Sequence, residues 1–253
     1  MTRSTPMSDS TIDRPSPLRT VVLLVAALMP SPIAVAIYRH VLGYRVGRRV
    51  RIGVSIVHAG DCAIGDDAVI GHGNVIVRVG RLVIGEHVRI GHLNLIRGGR
   101  EVRLERYSEL LRLNQLNSIP DAEVVDGTAD PRLIIGPGCV VTSGHKIDFT
   151  DRVELGRRVI VGGRNSSLWT HNRQRIAPIV VGAFTYLGSE IRMAPGSAVP
   201  AKSIVGIGAV VTDVLNGDGC LYGGVPARMI KELDERDRYL VERKTREDLP
   251  DDV

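Results

Sequence analysis

An aliphatic residue recurs at every sixth position along most of this chain. The longest unbroken series is Val181, Leu187, Met193, Val199, Val205 and Val211. Sets of three such residues begin at positions 46, 64, 84, 104, 135, 155, 181 and 199, which defines eight sets and 24 anchor positions. Ile, Leu, Val or Met occupies 22 of these positions, and His58 and Ser167 are the two exceptions.

A period of six excludes a continuous α-helix, whose apolar residues recur near every 3.6 positions. Gly directly follows 12 of the anchors. This predicts a short strand and then a tight corner, at which glycine would supply backbone angles that a side chain forbids. Three such units make a triangular coil, and coils stack at about 4.8 Å. We therefore predict an all-β solenoid of about eight coils over residues 46–216, roughly 38 Å long.

The composition agrees with a narrow aliphatic interior. The chain has 253 residues, of which 43% are apolar and only 4% aromatic. The apolar content excludes a disordered chain. Three widely spaced cysteines, without a CxxC pair, exclude a disulfide framework and favour a reducing compartment. The net charge of +5 comes from scattered basic residues, so we expect no nucleic-acid partner.

Two segments allow more than one interpretation. Leu104–Leu116 contains no Gly and is compatible with a helix, but it keeps the six-residue period and is interpreted as a coil. The apolar stretch 21–38 is interrupted at Pro30-Ser31-Pro32, whereas a spanning helix needs about 20 apolar residues. Three alternatives remain for it: two short helices packed on the main domain, peripheral attachment that places the Arg39–Arg51 cluster on anionic headgroups, or a true span.

The regions outside the repeat are predicted more coarsely. Residues 1–45 form a disordered polar lead of 17 residues followed by the apolar helical segment. Residues 217–253 form a C-terminal strand and helix.

The most specific stretches of the chain are Pro178–Gly196, Ile204–Val214 and Gly223–Leu233. They resemble the hexapeptide-repeat acyltransferases, in particular the sugar, maltose and galactoside O-acetyltransferase branch. The resemblance extends from residue 46 to about 233. It implies a left-handed parallel β-helix, whereas general crossover rules would predict a right-handed coil. It also implies a homotrimeric, acetyl-CoA-dependent enzyme without a metal, which acylates a saccharide hydroxyl.

Two enlarged gaps in the repeat hold loops, roughly at 117–132 and 172–178, and both leave the same corner of the prism. Insertions confined to one face usually build the binding face. His171 precedes the second loop and matches the place of the catalytic histidine in the resembling family. An imidazole suits a general base near neutral pH. The alternative is an ordinary surface histidine at a loop edge.

Three further residues are candidates for the acceptor site. His145 occupies the fifth position of its unit, where small residues usually lie, which predicts either a hydrogen-bonded structural role or a contact with the acceptor. Asp148 is close enough in sequence to orient an imidazole. Trp169 is expected to stack on a sugar ring or to pack against a neighbouring subunit.

For the acyl donor, the resemblance points to residues of the last coils and the C-terminal segment. Ser189, Thr212, Arg228 and Lys231 match positions at which relatives contact CoA, and cations suit its phosphates. Asp213 replaces a basic residue that relatives often carry, and Lys202 is the candidate to compensate. A solvated face is the alternative for Arg228 and Lys231.

The apolar, Arg-rich N-terminus suggests an acceptor made at the membrane, such as an exopolysaccharide or lipopolysaccharide precursor, and a cytoplasmic protein that is peripheral on the inner face. Amino-sugar N-acylation is the nearest alternative. The γ-class carbonic anhydrases share the implied fold, but His72, His87 and His92 do not reproduce their ligand spacing, because Val77 stands where a second histidine is needed. A non-catalytic trimeric scaffold is the last alternative.

Overall fold

The computed structural model describes residues 15–119, 128–244 and 246–248. Most of the polar lead predicted to be disordered therefore lies outside the described residues, as does the middle of the predicted loop at 117–132.

Three α-helices and 24 strands make up the described fold. The helices are α1 (Pro17–Leu28), α2 (Ser31–Ala36), which continues into a π-helical turn at Ile37–Val41, and α3 (Glu235–Val241), which precedes a 3-10 turn at Arg246–Asp248. The strands are β1 (Arg45–Val46), β2 (Arg51–Ile52), β3 (Ile56–Ile64), β4 (Val69–Ile70), β5 (Val75–Ile84), β6 (Arg89–His92), β7 (Leu95–Arg97), β8 (Glu101–Leu104), β9 (Glu109–Arg112), β10 (Gln115–Asn117), β11 (Arg132–Ile135), β12 (Val140–Ser143), β13 (Lys146–Asp148), β14 (Val153–Leu155), β15 (Ile160–Arg164), β16 (Ser167–Trp169), β17 (Ile179–Val181), β18 (Tyr186–Leu187), β19 (Arg192–Met193), β20 (Ala198–Val199), β21 (Ile204–Val205), β22 (Val210–Val211), β23 (Cys220–Gly223) and β24 (Arg228–Glu232).

The strands stack in parallel into three faces of a prism. Face one contains β1, β8, β11, β14, β17 and β20; face two contains β2, β4, β6, β9, β12, β15, β18 and β21; face three contains β7, β10, β13, β16, β19 and β22. The long strands β3 and β5 run from face three into face one. Each coil passes through the three faces in turn, which confirms the predicted solenoid of about eight coils. The left-handed sense stays a prediction.

Both exceptions in the repeat are slips of one residue in register. Val57 pairs with Ile76, and Leu168 pairs with Ile147 and Met193, so these two aliphatic residues are the anchors. Both are fully buried. The prediction of His58 and Ser167 as anchor positions was therefore wrong, because one unit has five residues and another has seven.

The glycine after an anchor serves a different purpose from the one predicted. None of those 12 glycines has a positive φ. A Cβ at Gly91 would lie 2.0 Å from the carbonyl oxygen of Leu111, and a Cβ at Gly71 would lie 2.2 Å from that of Gly91. These glycines therefore allow neighbouring coils to approach each other. The left-handed backbone angle falls two residues later, and non-glycine residues such as His87, Tyr107 and Arg158 adopt it.

A ladder of polar side chains lines the corner between faces two and three, which we call the second corner. Asn114 accepts through Oδ1 from the backbone N–H of His145 at 2.9 Å, and similar bonds join Asn74, Asn94 and Asn114. Ser55 and Ser166 end the ladder. Because each buried polar group is paired with the next coil, the ladder fixes the register of the stack.

The N-terminal helices cover the open end of the solenoid. Leu23 and Ala26 are buried in the hydrophobic core, and Ala34 on α2 is also buried. The hydroxyl of Tyr38 accepts from Val57 N–H at 3.2 Å, and that of Tyr44 accepts from Ala59 N–H at 3.1 Å. The two tyrosines thus form hydrogen bonds with backbone groups of β3 that have no strand of a preceding coil to pair with. The two short helices therefore pack on the main domain, as the first of the three alternatives predicted, and this packing is compatible with the second, peripheral attachment. Among the described residues, no helix has the length and apolar character needed to cross a bilayer.

Of the two remaining predictions about secondary-structure elements, one is confirmed and the other is wrong in part. The segment 104–116 is a coil, as predicted, and contributes to β8, β9 and β10. The C-terminal segment holds two strands rather than one. Strand β23 extends face two in parallel, whereas β24 returns antiparallel to it and leads into α3.

Candidate active site

The two enlarged gaps of the repeat both join face three to face one. One connection runs from β10 to β11 and the other from β16 to β17. We call this edge of the prism the loop corner; it comprises residues 117–131, 148–152, 169–178 and 194–197, of which 120–127 are not described. The prediction that both loops leave one corner is confirmed.

His171 lies at the loop corner beside a buried carboxylate. Its Nδ1 atom is 2.8 Å from Oδ2 of Asp148. The hydrogen of Nδ1 does not point along this line, so the contact is close but is not an aligned hydrogen bond. The side chain of His171 is 18% exposed and that of Asp148 is 3% exposed. A histidine that faces solvent and rests on a buried acid has the arrangement of a base and its orienting group.

Two threonines hold the carboxylate of Asp148 in place. The hydroxyl of Thr170 lies 2.7 Å from Oδ1, and the backbone N–H of Thr150 donates to the same oxygen at 3.0 Å. Thr150 also receives a bond from Ile119 N–H through its hydroxyl oxygen, which ties the first loop to the site. The hydroxyl of Thr150 also donates to Oδ2 at 3.4 Å, and these hydrogen bonds offset the cost of burying the carboxylate.

The loop after His171 is a tight hairpin. His171 forms an antiparallel bridge with Ile176, and Oδ1 of Asn172 accepts from the N–H groups of Gln174 and Arg175, both at 2.8 Å. The guanidinium of Arg175 packs on the next coil at Gly196, where a Cβ would lie 2.3 Å from it. The position of His171 is therefore fixed from both sides in sequence.

Trp169 is exposed on face three and pairs in register with Asp148 on the neighbouring coil. Both residues directly follow the inward anchors of their strands, Leu168 and Ile147. The structure therefore places Trp169 on the same edge as His171, with its ring open to a ligand or to another chain.

His145 is completely buried in the second corner. Its Nδ1 atom accepts from Ser166 N–H at 3.2 Å, and its Nε2 atom lies 2.9 Å from the hydroxyl of Thr142. Burial lowers the pKa of His145 to about 4. Since both ring nitrogens are engaged and no surface is exposed, the structure favours the structural alternative over a contact with the acceptor.

The residues predicted to contact CoA do not converge within one chain. Thr212 continues the loop corner, where its hydroxyl donates to Asp213 at 2.9 Å. Ser189 lies at the second corner, against Gly163 of the preceding coil. Lys202 is exposed at the first corner, between faces one and two, and Arg228 is exposed on β24. They occupy different edges of the prism.

Lys231 has carboxylate partners at the start of α3. Its Nζ atom lies 2.7 Å from Oδ2 of Asp234 and 2.6 Å from Oδ2 of Asp237. The hydrogen bonds to these carboxylates raise the pKa of Lys231. Asp234 and Asp237 also form the capping box of α3. The contacts of Lys231 with both carboxylates therefore connect β24 to the first turn of this helix.

The histidines that suggested a zinc site bond to the backbone instead. Nδ1 of His72 accepts from Val54 N–H at 3.1 Å, and Nδ1 of His92 accepts from His72 N–H at 3.0 Å. Their rings stack, as do those of His87 and Tyr107. Within the described residues, no three His, Cys, Asp or Glu side chains are grouped to bind a metal.

Thr150 and Thr170 are the site residues that the sequence did not indicate. Both lie near an anchor, at positions where a threonine is equally compatible with an ordinary inward corner residue. The position of Thr170 depends on the seven-residue unit that ends at Leu168, which shifts the following residues by one position relative to the repeat.

Comparison with known proteins extends the observations on the repeat. No protein-family model matches the chain. Galactoside O-acetyltransferase of Escherichia coli (strain K12) is 32% identical over 62 residues, which cover 24% of this chain and 30% of that enzyme. This match agrees with the resemblance of the repeat to the hexapeptide-repeat acyltransferases. The chain's match to the curated relative spans less than a third of that relative's length.

Solved acyltransferase structures match the chain at low sequence identity. The UDP-N-acetylglucosamine acyltransferase from Campylobacter jejuni is 15% identical, with a TM-score of 0.47 over 73% of this chain and 78% of that one. A polySia-specific acetyltransferase is 16% identical, with a TM-score of 0.43 over 75% of this chain and 85% of that one. The substrates in these names are those of the relatives.

Proposed function

We propose that this hexapeptide-repeat protein is an acyltransferase that moves an acetyl group from acetyl-CoA to a hydroxyl of a saccharide or glycan precursor. The observation that supports this most directly is the contact of His171 with the buried, hydrogen-bonded carboxylate of Asp148 at the loop corner. The resemblance of residues 178–233 and the match to galactoside O-acetyltransferase favour the same reaction class.

The reaction needs one base, and His171 suits that role. The acceptor oxygen attacks the thioester carbonyl while Nε2 of His171 takes its proton. Asp148 beside Nδ1 stabilises the imidazolium that forms, and the imperfect alignment of this contact is expected to improve when the acceptor is bound. The tetrahedral intermediate then expels the CoA thiolate, which receives the proton from His171, so that an ester and free CoA result.

The donor site is proposed to lie between two chains of a homotrimer. Ser189, Lys202, Thr212, Arg228 and Lys231 lie on different edges of one prism, so no single surface of one chain collects them. A cleft between two prisms would bring an edge of each chain together. We place the enzyme in the cytoplasm, since a reducing compartment suits three cysteines that are all free and buried.

Release of free CoA from purified protein tests the proposal. Acetyl-CoA and longer acyl-CoA donors are offered with a panel of neutral saccharides, amino sugars and glycan precursors. We expect CoA release that depends on a hydroxyl acceptor, and mass spectrometry should locate an ester on the product. If only amino groups are acylated, the enzyme is an N-acyltransferase and the proposed O-acylation is wrong.

The assignment of the base has its own test. His171→Ala should lower kcat by about 10²–10⁴, with unchanged oligomeric mass and melting temperature. Asp148→Asn should also reduce kcat, because the imidazolium loses its stabilising charge. Gln174→Ala is the matched control in the same hairpin, since it shortens an exposed side chain without removing a proton acceptor. Near-full turnover by His171→Ala would refute the assignment.

A further inference from the structure

The side of α1 that faces away from the solenoid is mostly apolar, with the exposed Thr20 at its margin. Leu18 is 76% exposed and Leu28 is 72% exposed, and Val21, Leu24 and Val25 lie exposed between them. The spacing of three, four and seven residues places them on one side of the helix. Ile33 on α2 is also exposed. These six residues form the apolar cap face, which no other described part of the chain covers.

The segment that forms the apolar cap face and the first coil carries only positively charged side chains. Residues 15–60 contain six arginines and no Asp or Glu. Three of the arginines bind carboxylates of the second coil: Arg45 with Asp61, Arg48 with Asp66 and Arg49 with Asp67. Three of the five arginines of the predicted Arg39–Arg51 cluster are therefore paired with carboxylates.

The other three arginines keep their charge without a carboxylate partner among the described residues. Arg39 donates to the carbonyl oxygens of Val46 and Gly47, and Arg19 donates to the carbonyl oxygen of Ala59. Arg51 is exposed on β2. The end of the molecule that carries the apolar cap face is therefore cationic.

We propose that the apolar cap face docks on an anionic phospholipid bilayer. Its side chains would enter the boundary between headgroups and acyl chains, and Arg39 and Arg51 would contact phosphate groups. The charge argues against a second copy of this chain as the occupant. Two such ends packed face to face would bring together the arginines that have no carboxylate partner among the described residues, Arg19, Arg39 and Arg51.

Co-sedimentation of the full chain with vesicles tests this proposal without any enzyme assay. The vesicles contain phosphatidylcholine with about 30% phosphatidylglycerol, or phosphatidylcholine alone. We expect binding to the anionic vesicles that weakens strongly between about 0.05 and 0.3 M salt. The Leu18→Ser, Leu28→Ser double variant should bind about 100-fold more weakly.

Two further double variants make the test specific. Leu93→Ser with Leu113→Ser is the matched control, because these leucines are 59% and 54% exposed at the second corner; it should bind like the unchanged protein. Arg39→Gln with Arg51→Gln should lower binding to anionic vesicles about 30-fold and leave binding to neutral vesicles unchanged. Melting temperatures confirm that each variant is folded.

Three results would overturn the proposal. The first is the absence of sedimentation with anionic vesicles at low salt. The second is equal binding of the Leu18, Leu28 variant and the unchanged protein. The third is a fall in oligomeric mass, caused by the Leu18, Leu28 variant in the absence of lipid, which would identify a second copy as the occupant.

Discussion

At the scale of residues, two histidines lie near each other in sequence but in opposite environments. His145 is sealed in the second corner with both ring nitrogens engaged. His171 reaches the surface at the loop corner and rests on Asp148. Since a general base must exchange its proton with a bound hydroxyl, only His171 is placed to act, and His145 is expected to affect stability alone.

The buried imidazole of His145 makes the fold sensitive to mild acid. Its pKa falls from 6.5 to about 4 on folding, so between these values the unfolded chain binds a proton that the folded chain does not. The free energy of unfolding therefore decreases as the pH falls through this window. Each pKa unit corresponds to about 1.4 kcal/mol, which gives a loss of about 3 kcal/mol in all.

His145→Asn tests this prediction, because Asn74, Asn94 and Asn114 occupy the same place in earlier coils. Urea unfolding at several pH values should show a smaller loss of stability between pH 6.5 and 4 for the variant. Its kcat should stay close to that of the unchanged protein. Identical pH dependence of the two proteins, or a collapse of kcat, would show that the structural interpretation of His145 is wrong.

The sequence predicted part of this site. The two insertions indicated one edge of the prism, and the structure places Asp148, Trp169 and His171 together there. It did not indicate Thr150 and Thr170, since the support of a buried carboxylate depends on register within a corner. The donor residues were predicted from resemblance, and their separation within one chain follows from which corner each unit occupies.

At the scale of elements, the spacing between coils depends on the missing side chain at the glycine after each anchor. Gly91 and Gly206 occupy equivalent positions in different coils. A Cβ at Gly91 would overlap the carbonyl oxygen of Leu111, whereas a Cβ at Gly206 would meet its nearest atom, the carbonyl oxygen of Tyr222, at 3.5 Å. The cost of an added methyl group should therefore differ greatly between the two positions.

Gly91→Ala should lower the free energy of unfolding by about 3 kcal/mol, because a rigid backbone oxygen must move. Gly206→Ala should change it by less than about 1 kcal/mol, in the stabilising direction, since alanine reduces the entropy of the unfolded chain. Urea denaturation of both variants measures the difference. Equal effects at the two positions would show that close approach is not the reason for these glycines.

The period of six predicted the solenoid because one aliphatic residue per strand must face inward in every coil. The period did not predict the two one-residue shifts in register. An aliphatic residue nevertheless stands beside each exception, Val57 beside His58 and Leu168 beside Ser167. A fixed period cannot anticipate a unit of five or seven residues. The second strand of the C-terminal segment, β24, lies outside the repeat and left no periodic signal.

At the scale of the whole molecule, the separation of the proposed donor residues within one chain is the reason to expect a site shared between chains. We expect light scattering to give a mass near three times 27.5 kDa. If the cleft is shared, hybrids of His171→Ala chains and Arg228→Ala chains should regain activity. In some of their clefts, the Arg228→Ala chain supplies an unchanged His171 and the His171→Ala chain supplies an unchanged Arg228.

The hybrids need a control for subunit exchange. Two differently tagged His171→Ala preparations, mixed in the same way, should form hybrids of the same mass without regaining activity. Verified hybrids of His171→Ala and Arg228→Ala chains that stay inactive, or an active monomer, would show that each site is built within one chain.

Tyr38 and Tyr44 also protect the molecule against end-to-end polymerisation. A stack of parallel coils ends in a strand that is ready to template another, and such unpaired edges promote fibrillar assembly. The two phenolic hydroxyls occupy the backbone groups through which growth would proceed. A chain shortened to begin at Arg39 would lose Tyr38 and expose this edge, and its expected fate is polymerisation rather than a smaller active enzyme.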